Sequence, residues 1–269
     1  DWLVLRLLQD AGVHIVELPW TPEGRLDLVN LDQLLCAKSV HLVVLSSRVS
    51  VPAGVSMPPQ DRLAIARMLE QHGCWLLEND TFGELGFDEP QTALRELVNP
   101  ERLIVFSSFE KVLGSEAPYG YLLSRRMNSE LQRHFLLRCF RLSPIRQRAI
   151  ARLYHSGRID QHLRGLRLQL REQADEMCER LDRHLGDQLT YRAPAAGAAF
   201  WLASTRTVDM RQVFQRLLSQ QVVIAPGELF SVNGLHQQHL RLSHTFQSQP
   251  DLDIVLTALS EALRQAQLG

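Results

Sequence analysis

Lys111 lies in the stretch FSSFEKVLGSEAPYGYLLS (106–124), and only Lys38 shares its residue type in a chain that otherwise carries its positive charge on arginine. An amine beside an apolar run and a glycine-bearing turn can anchor a group by forming an imine with a carbonyl compound, or it can stand solvated. Arg241, in HLRLSHT, offers the planar fork that grips a carboxylate through two hydrogen bonds, or that closes a structural ion pair across a domain junction. Asp80 and Glu84 have the look of a paired-carboxylate acid–base site, yet no second cluster faces them, so they read as turn and capping residues. His236 and His239 form an isolated HxxH with no acidic or cysteine partner nearby. They read as loop histidines, and no metal site is expected.

The elements that must position these groups follow from composition and pattern. The chain has 269 residues, 45% hydrophobic and 22% charged, with a formal net charge of -1. That is enough chain for a substantial core, and it leaves no overall basic field for binding nucleic acid directly. Cys36, Cys74, Cys139 and Cys178 are widely spaced and form no CxxC pair, which reads as reduced thiols in a cytosolic protein. The longest apolar runs are strand-sized, and no GxGxxG or Walker-type phosphate loop occurs.

Along the chain, DWLVLRLLQDAG predicts an amphipathic helix ending at Gly12, and VHIVELP a strand, followed by a polar stretch with Pro22 and Gly24. LVNLDQLLCA is helical, and HLVVLSS is a continuous apolar strand of the kind buried on both faces of a parallel sheet. PQDRLAIARMLEQHG is a helix closed by Gly73, CWLLEND a strand, LRELVN a short helix and RLIVFSSF another strand. This alternation argues for a βαβ-type, mostly parallel sheet through about residue 125. Residues 126–153 and 158–185 are helical, the second run laced with solvated arginine and glutamate. Short strands at QLTYRA, AAFWLAS, VVIAP and HLRLSHT follow, with helices at VDMRQVFQRLLSQ and from Asp251, making a smaller α+β C-terminal subdomain. The expected division is 1–155 for the large subdomain and 156–269 for the small one, with YHSGR at the boundary.

Six stretches then line up in order: VPAGVSMPPQDR, LLENDTFGELGF, SSFEKVLGSEAPYGY, APAAGAAFWL, IAPGELFS and HLRLSHT. In this the chain resembles the aminotransferase-like domain of MocR-type GntR-family transcription regulators. The resemblance covers essentially the whole chain. It implies an α/β, fold-type-I architecture like that of aminotransferases using pyridoxal 5′-phosphate (PLP), and a homodimer. In that family a winged helix-turn-helix precedes this domain, and the early large domain carries a phosphate-binding turn. Neither stretch is found here, so the N-terminal part of the large domain is expected to be missing, and DNA would be reached only through a domain outside this chain.

The resemblance also places a cofactor site. Lys111 falls at the Schiff-base lysine of an SxSK motif, Ser108 at its phosphate-contacting serine, and Arg241 at the arginine that pairs a substrate carboxylate. The other positions depart from the pattern. The family's aspartate, two residues, tyrosine reads Asn79, Asp80, Thr81, Phe82, so asparagine replaces the carboxylate that keeps the pyridine nitrogen protonated. The Asn-Pro-x-Gly turn reads Val51-Pro52-Ala53-Gly54, the phosphate-binding arginine falls at Pro118, and Glu110 and Glu116 add negative charge. Losing two or three charge-assisted hydrogen bonds at ~1.5–3 kcal/mol each costs about two to six decades of affinity. The expectation is therefore a cytoplasmic, effector-sensing and dimerisation domain that is aminotransferase-like but catalytically inactive, binding PLP weakly or not at all. The alternative is a PLP-dependent aminotransferase with unusual ring contacts.

Overall fold

The computed structural model describes residues 1–18, 25–88, 92–138, 142–245 and 252–267. The polar stretch holding Pro22 and Gly24, Cys139 and the helix start at Asp251 lie outside them.

Asp1 caps the first helix, α1 (Trp2–Asp10), by accepting from the Leu3 amide. Gly12, at φ +69, turns the chain out of it as the apolar pattern required. The strand expected over 13–19 does not form in its described part: residues 13–18 join no ladder, and Val13 and Val16 are exposed. The Glu17 carboxylate instead accepts from the Ser231 hydroxyl and the Val232 and Asn233 amides. A carboxylate satisfied this way holds the segment against a loop rather than a sheet edge.

Helix α2 (Leu28–Cys36) is capped by Asp27 and buries Leu31 and Leu35. Strand β1 (Leu42–Leu45) follows, then helix α3 (Pro59–His72), strand β2 (Trp75–Asn79) and strand β3 (Leu103–Ser108). Proline in the first turn and Gly73 at φ +64 bracket α3. LRELVN gives a 3₁₀ turn, Leu94–Glu96, in place of an α-helix. Past β3 come a one-turn helix, α4 (Glu110–Leu113), and strand β4 (Gly120–Leu123). The sheet order is β1-β2-β3-β4, parallel except for β4. HLVVLSS is thus not central: β1 is the outer strand among the described residues, and only Val43 of its four residues is buried. Leu31, Leu35, Ile65, Leu69, Leu76 and Val105 belong to the core that joins α2 and α3 to this sheet.

Helices α5 (Asn128–Leu137), α6 (Pro144–His155) and α7 (Arg158–Leu185) follow. Beyond them, β5 (Leu189–Tyr191), β6 (Ala199–Ser204), β7 (Ala225–Pro226) and β8 (His239–Ser243) form an antiparallel sheet in the order β5-β6-β8-β7. Helices α8 (Met210–Ser219) and α9 (Leu252–Gln265) complete the chain. Their buried leucines, Leu217, Leu256, Leu259 and Leu263, sit at helical spacing.

Leu18–Ser50 with Val55–Leu168 make one compact unit, and Asp1–Glu17, Val51–Gly54 and Gln169–Gly269 make the other. The units part inside α7, between Leu168 and Gln169, rather than at the Ser156–Gly157 turn, and α1 joins the C-terminal unit. No helix among the described residues is long and apolar enough to cross a membrane.

Candidate functional site

Three of the four predicted site residues meet at one edge of the parallel sheet. Asn79 ends β2 and pairs in register with Phe106, so the C-terminal ends of β2 and β3 lie side by side, where open α/β sheets bind ligands. The Asp80 amide donates to the Phe106 carbonyl and the Ser107 hydroxyl to the Asp80 carbonyl, which extends the pairing past the strand end. Gly120 faces Ser108 across β4, where a Cβ would lie 1.9 Å from the Ser107 carbonyl oxygen. Only glycine permits that approach.

Lys111 sits on the one-turn helix directly after β3. Its side chain is 38% exposed, and its Nζ lies 3.4 Å from Glu110 Oε1. A surface pair of this kind contributes ~0–1 kcal/mol. Ser108 Oγ accepts from the Glu110 amide at 3.2 Å, which engages a lone pair of the hydroxyl expected to meet a phosphate and not its proton. His162 Nε2 meets the Val112 carbonyl at 2.8 Å; a carbonyl only accepts, so Nε2 carries the proton. Phe109 packs against Tyr121 and Tyr154, with ring centroids 5.4 and 6.0 Å away. Burial, then the Glu84 charge, pushes the Tyr154 hydroxyl up to about 12.

Beside Asn79 the structure holds a feature without a motif. Arg48 donates through Nε to Asp80 Oδ1 at 2.8 Å and through Nη2 to Oδ2, while Arg95 Nη1 reaches the same Oδ2. The Arg48 and Asp80 side chains are 9% and 3% exposed. Arg48 also reaches Glu84 at 2.9 Å, and Arg167 Nε donates to the Glu84 carbonyl. Burial alone would lower the pKa of Arg48; the hydrogen bonds and charges of Asp80 and Glu84 outweigh it and raise it. Asp80 and Glu84 are therefore partners in an ion-pair network rather than mere turn and cap residues. The correction has a physical cause, since a carboxylate this buried is stable only when paired. Gly83 makes room for the clamp: a Cβ there would lie 1.8 Å from Asp80 Oδ1 and 2.6 Å from Arg48 Nε. Arginine in SSRVS carries no sequence signal for this role.

Arg241 lies in the other unit, on β8, opposite Trp201 of β6 and Ala225 of β7. Burial lowers its pKa, and no carboxylate among the described residues pairs with it. His244, three residues on, stacks edge-on to Phe200. Burial, opposed by the Leu170 backbone and aided by the Arg241 charge, pushes it down to about 4. His239 stands on β8, not in a loop, and stacks on Trp201 at 5.1 Å, with His236 edge-on to both rings. Burial lowers both histidines, as suits aromatic packing.

A family profile described as "Aminotransferase class I and II" matches residues 4–259. The chain belongs to that family. Among curated relatives it is 26% identical, over 98% of its length and 54% of the relative's, to "Uncharacterized HTH-type transcriptional regulator YisV" of Bacillus subtilis. It is 23% identical over 97% of its length to "Uncharacterized HTH-type transcriptional regulator YjiR" of Escherichia coli, covering 56% of that protein. The chain thus spans about half the length of these relatives. Among solved structures it superposes on LysN, the alpha-aminoadipate aminotransferase of Thermus thermophilus, with a TM-score of 0.89 at 23% identity, covering 98% of this chain and 69% of that one. For the kynurenine aminotransferase of Pyrococcus horikoshii the TM-score is 0.84 at 21% identity, covering 98% and 67%. These likenesses establish the α/β aminotransferase fold. The transcription-regulator relatives carry the same aminotransferase-like domain.

Proposed function

We propose that this aminotransferase-like chain is the effector-sensing and dimerisation domain of a cytoplasmic MocR-type GntR-family transcription regulator, and that it no longer turns over substrate. The observation that carries the reading is the commitment of the carboxylates at the Asn79 edge. Asn79 supplies no negative charge for a pyridinium nitrogen, and neighbouring Asp80 is neutralised by Arg48 and Arg95. Ser108 Oγ already accepts from the Glu110 amide, and Lys111 is paired to Glu110 at the surface. This donor set does not fit PLP as a working group, and we derive no chemistry through it. PLP binding at Lys111 is weak or lost.

What remains suited to ligand recognition is Arg241, a desolvated guanidinium with no carboxylate partner among the described residues. We assign it the carboxylate of a small-molecule effector. A ligand with a differential affinity of a few kcal/mol between two conformations is enough to reset such a domain. Leu136, Leu137 and Ile145, 55–80% exposed on α5 and α6, support dimerisation. DNA would be contacted through a helix-turn-helix domain outside these residues, as the names of the relatives suggest.

The test is a PLP titration with borohydride reduction and peptide mass mapping, beside a melting screen of small carboxylates. The proposal expects no stoichiometric pyridoxyl group at Lys111, and a stabilising carboxylate whose effect is lost in Arg241→Met. Stoichiometric labelling at Lys111 with amino-group transfer to a keto acid would replace it with the second reading, a PLP-dependent aminotransferase. Lys111 itself, standing at the SxSK position in a chain with one other lysine, is what favours that reading.

A further inference from the structure

Asp32, Cys36 and His72 lie far from Lys111 in sequence and serve none of the roles above. Asp32 and Cys36 are one helical turn apart on α2, and His72 is the last residue of α3. Each stands one or three positions from a buried leucine: Leu31, Leu35 and Leu69 are in the core, at 1%, 2% and 3% exposure. The core thus fixes the two helix ends, and the three side chains emerge along the rim of the helix pair. They are carried by packed helices rather than loops, which is how a site is held in geometry before its ligand arrives.

One ligand atom from each residue lies within 4.8 Å of the other two. His72 Nε2 is 3.7 Å from Asp32 Oδ1 and 3.8 Å from Cys36 Sγ. The Cys36–His72 contact is a long sulfur hydrogen bond and the His72–Asp32 contact a loose ion pair, its nitrogen–oxygen separation beyond the usual ~3.2 Å limit of a hydrogen bond. Tetrahedral coordination offers the same three groups a stronger shared partner. With metal–sulfur bonds of ~2.3 Å and metal–nitrogen or –oxygen bonds of ~2.0–2.1 Å, neighbouring ligand atoms sit roughly 3.3–3.6 Å apart. The two contacts of His72 need to close by only a few tenths of an ångström, and the Asp32–Cys36 pair lies within 4.8 Å.

We propose that Asp32, Cys36 and His72 form a solvent-open, three-ligand site for a borderline-soft divalent cation, with zinc the best fit. A thiolate and an imidazole select against magnesium and calcium, which take oxygen ligands. Cys36 is exposed and Asp32 and His72 are half-buried, so the cation has an entry path and water supplies the fourth position. Bound metal clips the C-terminal end of α2 to that of α3, and so stabilises the unit that carries Lys111 without touching Lys111 itself.

The test uses the whole chain, stripped with chelator and titrated with cobalt(II) as a spectroscopic probe. One cobalt per chain is expected, with a thiolate-to-cobalt charge-transfer band and the intense visible bands of a tetrahedral centre, all displaced by zinc. Cys36→Ser should abolish the charge-transfer band, and His72→Gln should weaken binding by at least ~10-fold. Circular dichroism shows whether each variant keeps its fold, and Asp32→Asn, which removes no core contact, is a third probe should either fail. Absence of the band in the unaltered chain overturns the proposal, as does a band that survives both Cys36→Ser and His72→Gln.

Discussion

Replacing Arg48 with methionine tests whether the clamp on Asp80 is a structural necessity. The change keeps an apolar stem of similar length and removes the Nε and Nη2 bonds to Asp80 together with the bond to Glu84. Breaking a buried ion pair from one side typically costs ~3–5 kcal/mol, because the other charge is left desolvated. Two features reduce that figure here. Arg95, 26% exposed, still holds one Asp80 oxygen, and the Glu84 carboxylate, 37% exposed, can rehydrate, so its lost contact adds little. The expected destabilisation is ~2–4 kcal/mol. With a urea dependence of ~2 kcal/mol per molar, the unfolding midpoint should fall by about 1–2 M. Asp80→Asn added to Arg48→Met removes the stranded charge and should recover a large part of the loss, giving a coupling of ~1–3 kcal/mol in the double-mutant cycle. A single variant within ~0.5 kcal/mol of the unaltered chain, or a double variant whose losses simply add, would refute the reasoning.

Gly83→Ala should destabilise by ~1–3 kcal/mol through the clash of its Cβ with Asp80 and Arg48, and by less in the Arg48→Met background; paired thermal melts decide. Lys111→Ala should leave stability within ~0.5 kcal/mol, since its one ion pair is at the surface, and a larger change in urea titrations would count against the surface assignment. His244 gives a pH dependence. Its pKa is about 4 in the fold against 6.5 ordinarily, so the folded chain binds fewer protons than the unfolded one between those values. The stabilisation is therefore complete above pH 6.5 and is lost as pH falls towards 4, with a slope of up to ~1.4 kcal/mol per pH unit. In His244→Gln, stability measured from pH 7 to 5 should fall less steeply than in the unaltered chain; an unchanged slope would sink the assignment.

Much of this molecule is local, and the local part was readable. The helix over PQDRLAIARMLEQHG is bracketed by prolines and by a glycine whose positive φ ends it. Apolar hexapeptides between turn residues became strands, and the ordered stretches around Lys111 and Arg241 carried the family. Where reading failed, burial and pairing decided. VHIVELP has the composition of a strand, but its described residues have no neighbouring edge, and Glu17 ties them to residues 231–233 instead. HLVVLSS has the composition of a strand buried on both faces, but among the described residues the sheet order puts it outermost and only Val43 of β1 is buried.

The site divides in the same way. Residue type alone determined that position 79 carries no charge, and the family resemblance is what implies a Schiff-base position for Lys111. Only the tertiary structure decided that Asp80 is consumed by Arg48 and Arg95, and that Asp32, Cys36 and His72 come together. Arg48 and Asp80 are 32 residues apart, and Cys36 and His72 are 36 apart. Such meetings depend on strand register and helix packing, which arise from summing many weak apolar contacts over the whole core, and no short stretch of sequence records that sum.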